Sequence, residues 1–293
     1  MKRWIIGGMI AAVGLACAAA AGYAATADSG ADAPEFNLVS NDKDGKGLRA
    51  IGLTADQRLV GFRVNKPDDA RNIGKINGLM GDKKLVGIDY RVQDGKLYGV
   101  GDAGGVYTLD SNAKATKVSQ LTAALSGSYF GVDFNPAADR LRIVSDTGQN
   151  LRHNVNAGGT TNTDTTLTYP PATTAATGVT AVAYTNNDLD ADTATALYDI
   201  DTAMDQVALQ APANSGTLSP IGKLGVDTGT GAGFDIYSVV RGGKAVDAAG
   251  YATLSVGGKQ TLYQISLITG RADKIGSFGR GSQVVDLALP LNQ

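Results

Sequence analysis

The residues best placed to do chemistry in this 293-residue chain are aspartates that recur in matching phrases. Asp89 sits in LVGIDYR (85–91), Asp133 in FGVDFN (130–135), Asp235 in GFDI (233–236) and Asp286 in QVVDLALP (283–290). A fifth copy, TAVAYT (180–185), has Ala183 at that position. If these phrases are the innermost strands of a ring of small sheets, their carboxylates gather near its axis. Clustered hard oxygens suit Ca²⁺ or Mg²⁺. Like charges held together also raise carboxylate pKa values, as acid–base catalysis needs. The third reading is structural: each aspartate accepts backbone N–H bonds and braces adjacent units. Repetition in every copy but one favours bracing, because a catalytic site seldom needs one residue four times.

A second constellation lies in the densest phrase, FGVDFNPAADRLRIVSDTGQNLR (130–152). Arg140 and Arg142 alternate with Leu141 and Ile143, so both arginines point to one face of a strand. Arg152 lies on the returning strand, and setting Ile143 opposite Leu151 sets Arg142 opposite Arg152. Facing like charges are destabilising unless an anion sits between them. That anion is either a ligand carboxylate or phosphate, held bidentately, or an internal carboxylate such as Asp133, Asp139 or Asp146. Packed arginines are usually paired within the protein, which favours the internal partner.

Other chemistry-bearing residues are sparse. The loop NNDLDAD (186–192) alternates Asp188, Asp190 and Asp192, as some Ca²⁺ loops do. It lacks the bidentate Glu and flanking helices of an EF-hand, so a solvated hairpin loop is the plainer reading. The turn with Asp42 and Asp44 shares that weakness. His153 is the only histidine, and any Ser-His-Asp triad has to use it; no serine has a nucleophile-elbow context. With Cys17 the only cysteine, a normal zinc site is excluded. Glu35 is the only glutamate, which weighs against a glycosidase pair built on Glu.

These residues need a scaffold, and the chain supplies it by repetition. Residues 85–121 read as four short strands, at 85–91, 96–101, 105–110 and 115–121, parted by Gly/Asp/Asn turns. The next copy places strands at 130–135, 140–145, 150–155 and near 165–169. A third has 180–185, 194–201, 206–210 and 218–224; a fourth has 233–239, near 251–255, 261–267 and 272–278. The period, roughly 45 to 55 residues, fits a four-stranded propeller blade. Two fragments remain. Residues 48–64 align with the second and third strands of a blade and 72–77 with its fourth, while 283–290 align with a first strand alone. Together they complete one blade. The sequence therefore predicts an all-β, five-bladed propeller of four-stranded antiparallel sheets, its N-terminal blade completed by the C-terminal strand. Closure by both ends leaves no large open edge.

Several phrases carry a family resemblance: LVGIDYR, LYGVGDAGGVYTLD (97–110), the run from Phe130 to Arg152, AYTNN (183–187), LYDID (197–201), PANSGTL (212–218), GFDI and LYQISLITG (262–270). The chain resembles the bacterial family called domain of unknown function 4394. The resemblance covers nearly all of the chain after its N-terminal segment. It implies a propeller outside the cytoplasm and no particular activity.

Residues 1–27 read as a secretory signal: Lys2 and Arg3, an apolar run from Ile5 to Ala20, then small residues, with cleavage near Ala24–Ala27. The run is short for a membrane span. Lipid anchoring through Cys17 is disfavoured by Gly14, which stands where a lipoprotein signal wants Leu. Residues 28–46 read as a leader with a short strand at 36–40, and 47–293 as one propeller domain. Net charge is −2 and no basic block stands out, so no nucleic-acid partner and no anionic membrane surface is expected. Cleavage removes Trp4, the only tryptophan, which weakens a lectin reading. Three functions stay open: a non-enzymatic extracytoplasmic module binding a ligand or partner, a structural envelope protein, and a metal-dependent hydrolase or lactonase using the channel aspartates. The partner is unspecified, and no cofactor is expected beyond Ca²⁺ or Mg²⁺ at Asp89, Asp133, Asp235 and Asp286. Arg142 and Arg152 are the candidate ligand residues.

Overall fold

The computed structural model describes residues 47–190 and 192–291; the expected signal, Cys17 and the strand at 36–40 lie outside them. Chain order begins with β1 (Arg49–Thr54), β2 (Arg58–Arg63) and β3 (Lys66–Lys75), which form three-quarters of a blade. Four complete blades follow. Blade 1 is β4 (Leu85–Tyr90), β5 (Leu97–Gly101), β6 (Gly105–Leu109) and β7 (Ala115–Gln120). Blade 2 is β8 (Phe130–Asn135), β9 (Arg140–Ser145), β10 (Asn150–His153) and β11 (Thr161–Thr163). Blade 3 is β12 (Val179–Tyr184), β13 (Leu197–Asp201), β14 (Gln206–Gln210) and β15 (Leu218–Lys223). Blade 4 is β16 (Gly229–Arg241), β17 (Lys244–Val256), β18 (Lys259–Ile265) and β19 (Ala272–Ser277). Finally β20 (Val284–Ala288) pairs antiparallel with β1, Leu53 opposite Asp286 and Ile51 opposite Ala288. The closing blade has the order β20-β1-β2-β3, and the fold is a five-bladed β-propeller.

Burial explains the residue pattern of each strand. The innermost strands are covered on both faces and read as near-continuous apolar runs; every residue of β12 is buried. The outermost strands have one face in water, so β7 alternates buried or half-buried with exposed residues. The core is divided among the seams between blades. Ile51, Leu53 and Leu59 of the closing blade pack with Ile88, Tyr90 and Leu97 of blade 1. Blades 1 and 2 share Val100, Val106, Leu141 and Ile143, and Tyr98 meets Phe134 edge-on at 5.1 Å. Val144 of blade 2 packs with Val182, Leu197 and Ala208 of blade 3. Blades 3 and 4 join through Ala183, Ile200, Phe234 and Ile236. Phe62 meets Phe278 at 5.1 Å in the seam between blade 4 and the closing blade.

The outer strands depart most from the sequence reading. The fourth strand of the closing blade is Lys66–Lys75, not 72–77, because a tight turn sets Arg63 directly opposite Lys66. In blade 2 the outer strand is the polar triplet Thr161–Thr163, not 165–169. Residues 165–169 cross instead to blade 3, where the Thr168 N–H donates to the Gly216 carbonyl and the Leu218 N–H to the Thr168 carbonyl. In blade 4 the first two strands have 13 residues each. The tip half of that hairpin pairs with no third strand, since β18 meets β17 only from Gly250 onward.

Candidate functional site

The four aligned aspartates are buried, and each reaches the backbone of the neighbouring blade. Asp89 Oδ2 accepts the Phe134 N–H at 2.7 Å, joining blade 1 to blade 2. Asp133 Oδ1 accepts the Tyr184 N–H at 3.1 Å, joining blade 2 to blade 3. Asp235 Oδ2 accepts the Leu289 N–H at 2.6 Å, and Asp286 Oδ2 accepts the Ile88 N–H at 2.8 Å, which completes the circuit back to blade 1. Asp89 and Asp235 also accept the N–H of the residue that follows each, Tyr90 and Ile236. The aspartates therefore act as clasps between blades.

One seam has no such clasp, because blade 3 carries Ala183 there. Residues 187–190, in the connection that follows, take over that role. The Asn187 N–H donates to Ser238 Oγ at 3.0 Å, and Asn187 Nδ2 to the Ile236 carbonyl at 3.2 Å. Asp188 Oδ2 accepts the Ala245 N–H at 2.7 Å, and Asp190 meets Lys244 at 3.0 Å. Two of the loop's aspartates thus strap blade 3 to the hairpin of blade 4. Sequence reading identified the loop but missed Asn187, whose role shows only when the missing aspartate is set beside it.

Glycine makes the close approach of the inner strands possible. Gly87, Gly131 and Gly233 each precede a clasp aspartate by two residues. A β-carbon on Gly233 would lie 2.4 Å from Asp286 Cα, and one on Gly131 would lie 2.6 Å from the Val182 nitrogen. No side chain fits there, so Gly-x-Asp is a single device: the glycine admits the neighbouring strand and the aspartate holds it.

Burial holds all four carboxyls above the usual carboxylate range. For Asp89 the next cause is Asp235, for Asp133 it is Asp89 and then Asp235, and for Asp286 repulsion by Asp235 adds to burial. Asp235 is raised to about 6, again by burial. Asp89, Asp133 and Asp235 each offer an oxygen within 4.8 Å of the others. Three carboxylate oxygens brought together in this way are a donor set suited to a hard divalent cation such as Ca²⁺ or Mg²⁺.

The arginine pair lies in the seam between blades 2 and 3. β9 pairs with β10 so that Arg142 stands opposite Arg152. The anion between them is internal, but it is none of the three candidates named from sequence. Asp164 accepts Arg142 Nη1 at 2.8 Å and Arg152 Nε at 2.8 Å. Asp133 is a clasp, Asp139 is paired with Arg91, and Asp146 accepts the Ser128 N–H. Arg142 also donates to Tyr184 Oη, Asn150 Oδ1 and Asn214 Oδ1, which anchors it in both blades. Its side chain is 2% exposed, whereas that of Arg152 is 31% exposed. His153 is fully buried, with Nε2 on Ser119 Oγ at 2.8 Å and Nδ1 on Thr161 Oγ1 at 3.0 Å. Burial lowers its pKa, so it is a neutral bridge between blades 1 and 2.

Four aspartate clasps, three of them in Gly-x-Asp, inside a propeller closed by strands from both ends define the class of this protein. Residues 58–288 match the model of the family described as Domain of unknown function (DUF4394), and the chain belongs to that family. No curated protein matches it. Hydrazine synthase from Kuenenia stuttgartiensis is similar at 10% identity and a TM-score of 0.38, over 68% of this chain and 51% of that one. This chain thus spans about half the length of that relative. A chain of a nidogen–laminin complex is similar at 10% identity and a TM-score of 0.43, over 83% and 86% of the two chains. A structural-genomics protein of unknown function from Bacteroides thetaiotaomicron shows 13% identity and a TM-score of 0.43, over 78% and 57%. Likenesses this weak say nothing of function.

Proposed function

We propose that the chain is a non-enzymatic binding module that works outside the cytoplasm, with 47–293 acting as one domain after residues 1–27 are removed as a secretory signal. Its ligand is an anion, a carboxylate or a phosphate, received at the rim of the Arg142–Asp164–Arg152 cluster. One observation carries this reading: two guanidiniums share a single carboxylate. The cluster therefore keeps one positive charge, and Arg152 is the member that reaches solvent. A planar guanidinium with donors to spare is suited to bidentate capture of an oxyanion. Arg142 serves as the buried anchor that fixes Asp164 and, through it, Arg152.

The test is a thermal-shift titration of the purified chain with phosphate, acetate and citrate at constant ionic strength, repeated on Arg152→Gln. A stabilising shift in the wild type that is lost in R152Q, with the ligand-free midpoint unchanged, supports the site. No shift with any anion, or an equal shift in R152Q, refutes it.

A second reading rests on a separate observation, the 4.8 Å grouping of Asp89, Asp133 and Asp235 oxygens. These three, with Asp286 beside them, would hold a Ca²⁺ ion on the axis that neutralises the clustered carboxylates. Metal analysis of purified protein, and unfolding with and without chelator, decide it. Bound calcium that disappears in Asp133→Asn supports the reading; a metal-free protein indifferent to added calcium sinks it.

A further inference from the structure

The seam between blades 2 and 3 contains a carboxyl group that neither the clasps nor the arginine cluster uses. Asp199 lies in the middle of β13, opposite Val182 on one side and Ala208 on the other. It is 0% exposed. Neither of its oxygens has a hydrogen-bond partner among the described residues. Among the described residues, the charged groups that act on it and those facing it from blade 2 have partners of their own. From blade 2, Arg142 on β9 donates to Tyr184, Asn150, Asp164 and Asn214, and Arg152 on β10 donates to Asp164. Asp133 on β8 takes the Tyr184 N–H. On the side of blade 3, Asp201 accepts the Tyr169 hydroxyl and the N–H groups of Ala203 and Met204.

A buried carboxylate without a donor loses its hydration and gains nothing in return. The uncharged acid forfeits far less. We propose that Asp199 is an internal proton-binding site: it keeps its proton in the folded protein at neutral pH, and losing that proton at higher pH weakens the seam between blades 2 and 3. Burial pushes its pKa well up, against a smaller downward pull from the charge of Arg142 and with a further upward push from Asp201. In the unfolded chain the group titrates at about 3.9. Between that value and the raised folded one, the folded state holds a proton that the unfolded state has released. Stability therefore falls as pH rises through this window, and levels off above the folded pKa.

The experiment compares full-length wild type with Asp199→Asn and Asp199→Leu, the first an uncharged isostere and the second an apolar side chain suited to Val182 and Ala208. Thermal midpoints are taken at about pH 5, 7 and 9. The axial aspartates titrate in all three proteins, so the difference between wild type and variant isolates Asp199. The wild-type midpoint is expected to fall against both variants by about 3 °C or more per pH unit within the window. A difference that stays constant with pH overturns the proposal. Infrared spectra at neutral pH give an independent readout: subtracting the spectrum of whichever variant folds from that of the wild type is expected to leave a buried carboxylic-acid carbonyl band. Identical carbonyl regions in wild type and variant mean that Asp199 is ionised, and overturn the proposal too.

Discussion

Ending the chain after Ser282 removes β20, and the structure allows the consequence to be worked out. Val284, Leu287 and Leu289 are 0%, 1% and 2% exposed, so burying them accounts for about 5–9 kcal/mol at about 1.5–3 each. The strand pairs with β1 along its length, and its ladder adds roughly 1 kcal/mol for each hydrogen bond. Two clasps go as well: Ile88 loses its acceptor on Asp286, and Asp235 loses the Leu289 N–H. The sum is comparable to the whole stability of an ordinary domain, about 5–15 kcal/mol. Truncation is therefore expected to abolish cooperative unfolding, seen by circular dichroism and urea titration. A synthetic peptide of residues 283–293 should restore it by adding a strand to the open edge. A truncated protein with unchanged midpoint and urea slope would refute ring closure as the source of stability.

Gly233→Ala forces a β-carbon against Asp286 Cα, a backbone atom that cannot step aside; urea unfolding should show a loss of about 3 kcal/mol or more. Gly61→Ala, in the outer part of the closing blade with only Ile73 Cδ1 at 3.7 Å, should stay within about 1 kcal/mol in the same assay. Asp164→Asn leaves Arg142 buried without its anion and should cost about 3–5 kcal/mol of stability. Equal stability in D164N would mean that the neutral partners of Arg142 suffice.

Much of this architecture was legible in the sequence because inner strands repeat a dense apolar phrase. QVVDLALP matches LVGIDYR closely enough to reveal the closing strand, and setting Ile143 opposite Leu151 placed Arg142 opposite Arg152, the register that is found. What stayed hidden lacks such a pattern. The triplet TNT is polar and half-exposed or exposed, so nothing marks it as a strand. KAVDAAG consists mostly of small residues without large apolar side chains, which concealed the long hairpin of blade 4. Asp164 follows β11 in a connection with no periodicity, and its place beside two arginines is set by tertiary structure alone. LYDID shows alternating aspartates, yet alternation cannot say that Asp201 finds donors while Asp199 finds none. The Gly-x-Asp spacing was visible in three copies, but its meaning depends on strands approaching to backbone contact.

The central claim is that the axial aspartates are clasps, each holding an amide of the next blade. Amide hydrogen exchange by NMR tests it most directly. In the wild type, the amides of Ile88, Phe134, Tyr184 and Leu289 should exchange slowly. In Asp133→Ala, exchange at Tyr184, normalised to global unfolding, should speed up by roughly tenfold or more, while Phe134, held by Asp89, keeps its protection. Equal protection of Tyr184 with and without the Asp133 carboxylate would contradict the clasp and return the ring of aspartates to another purpose.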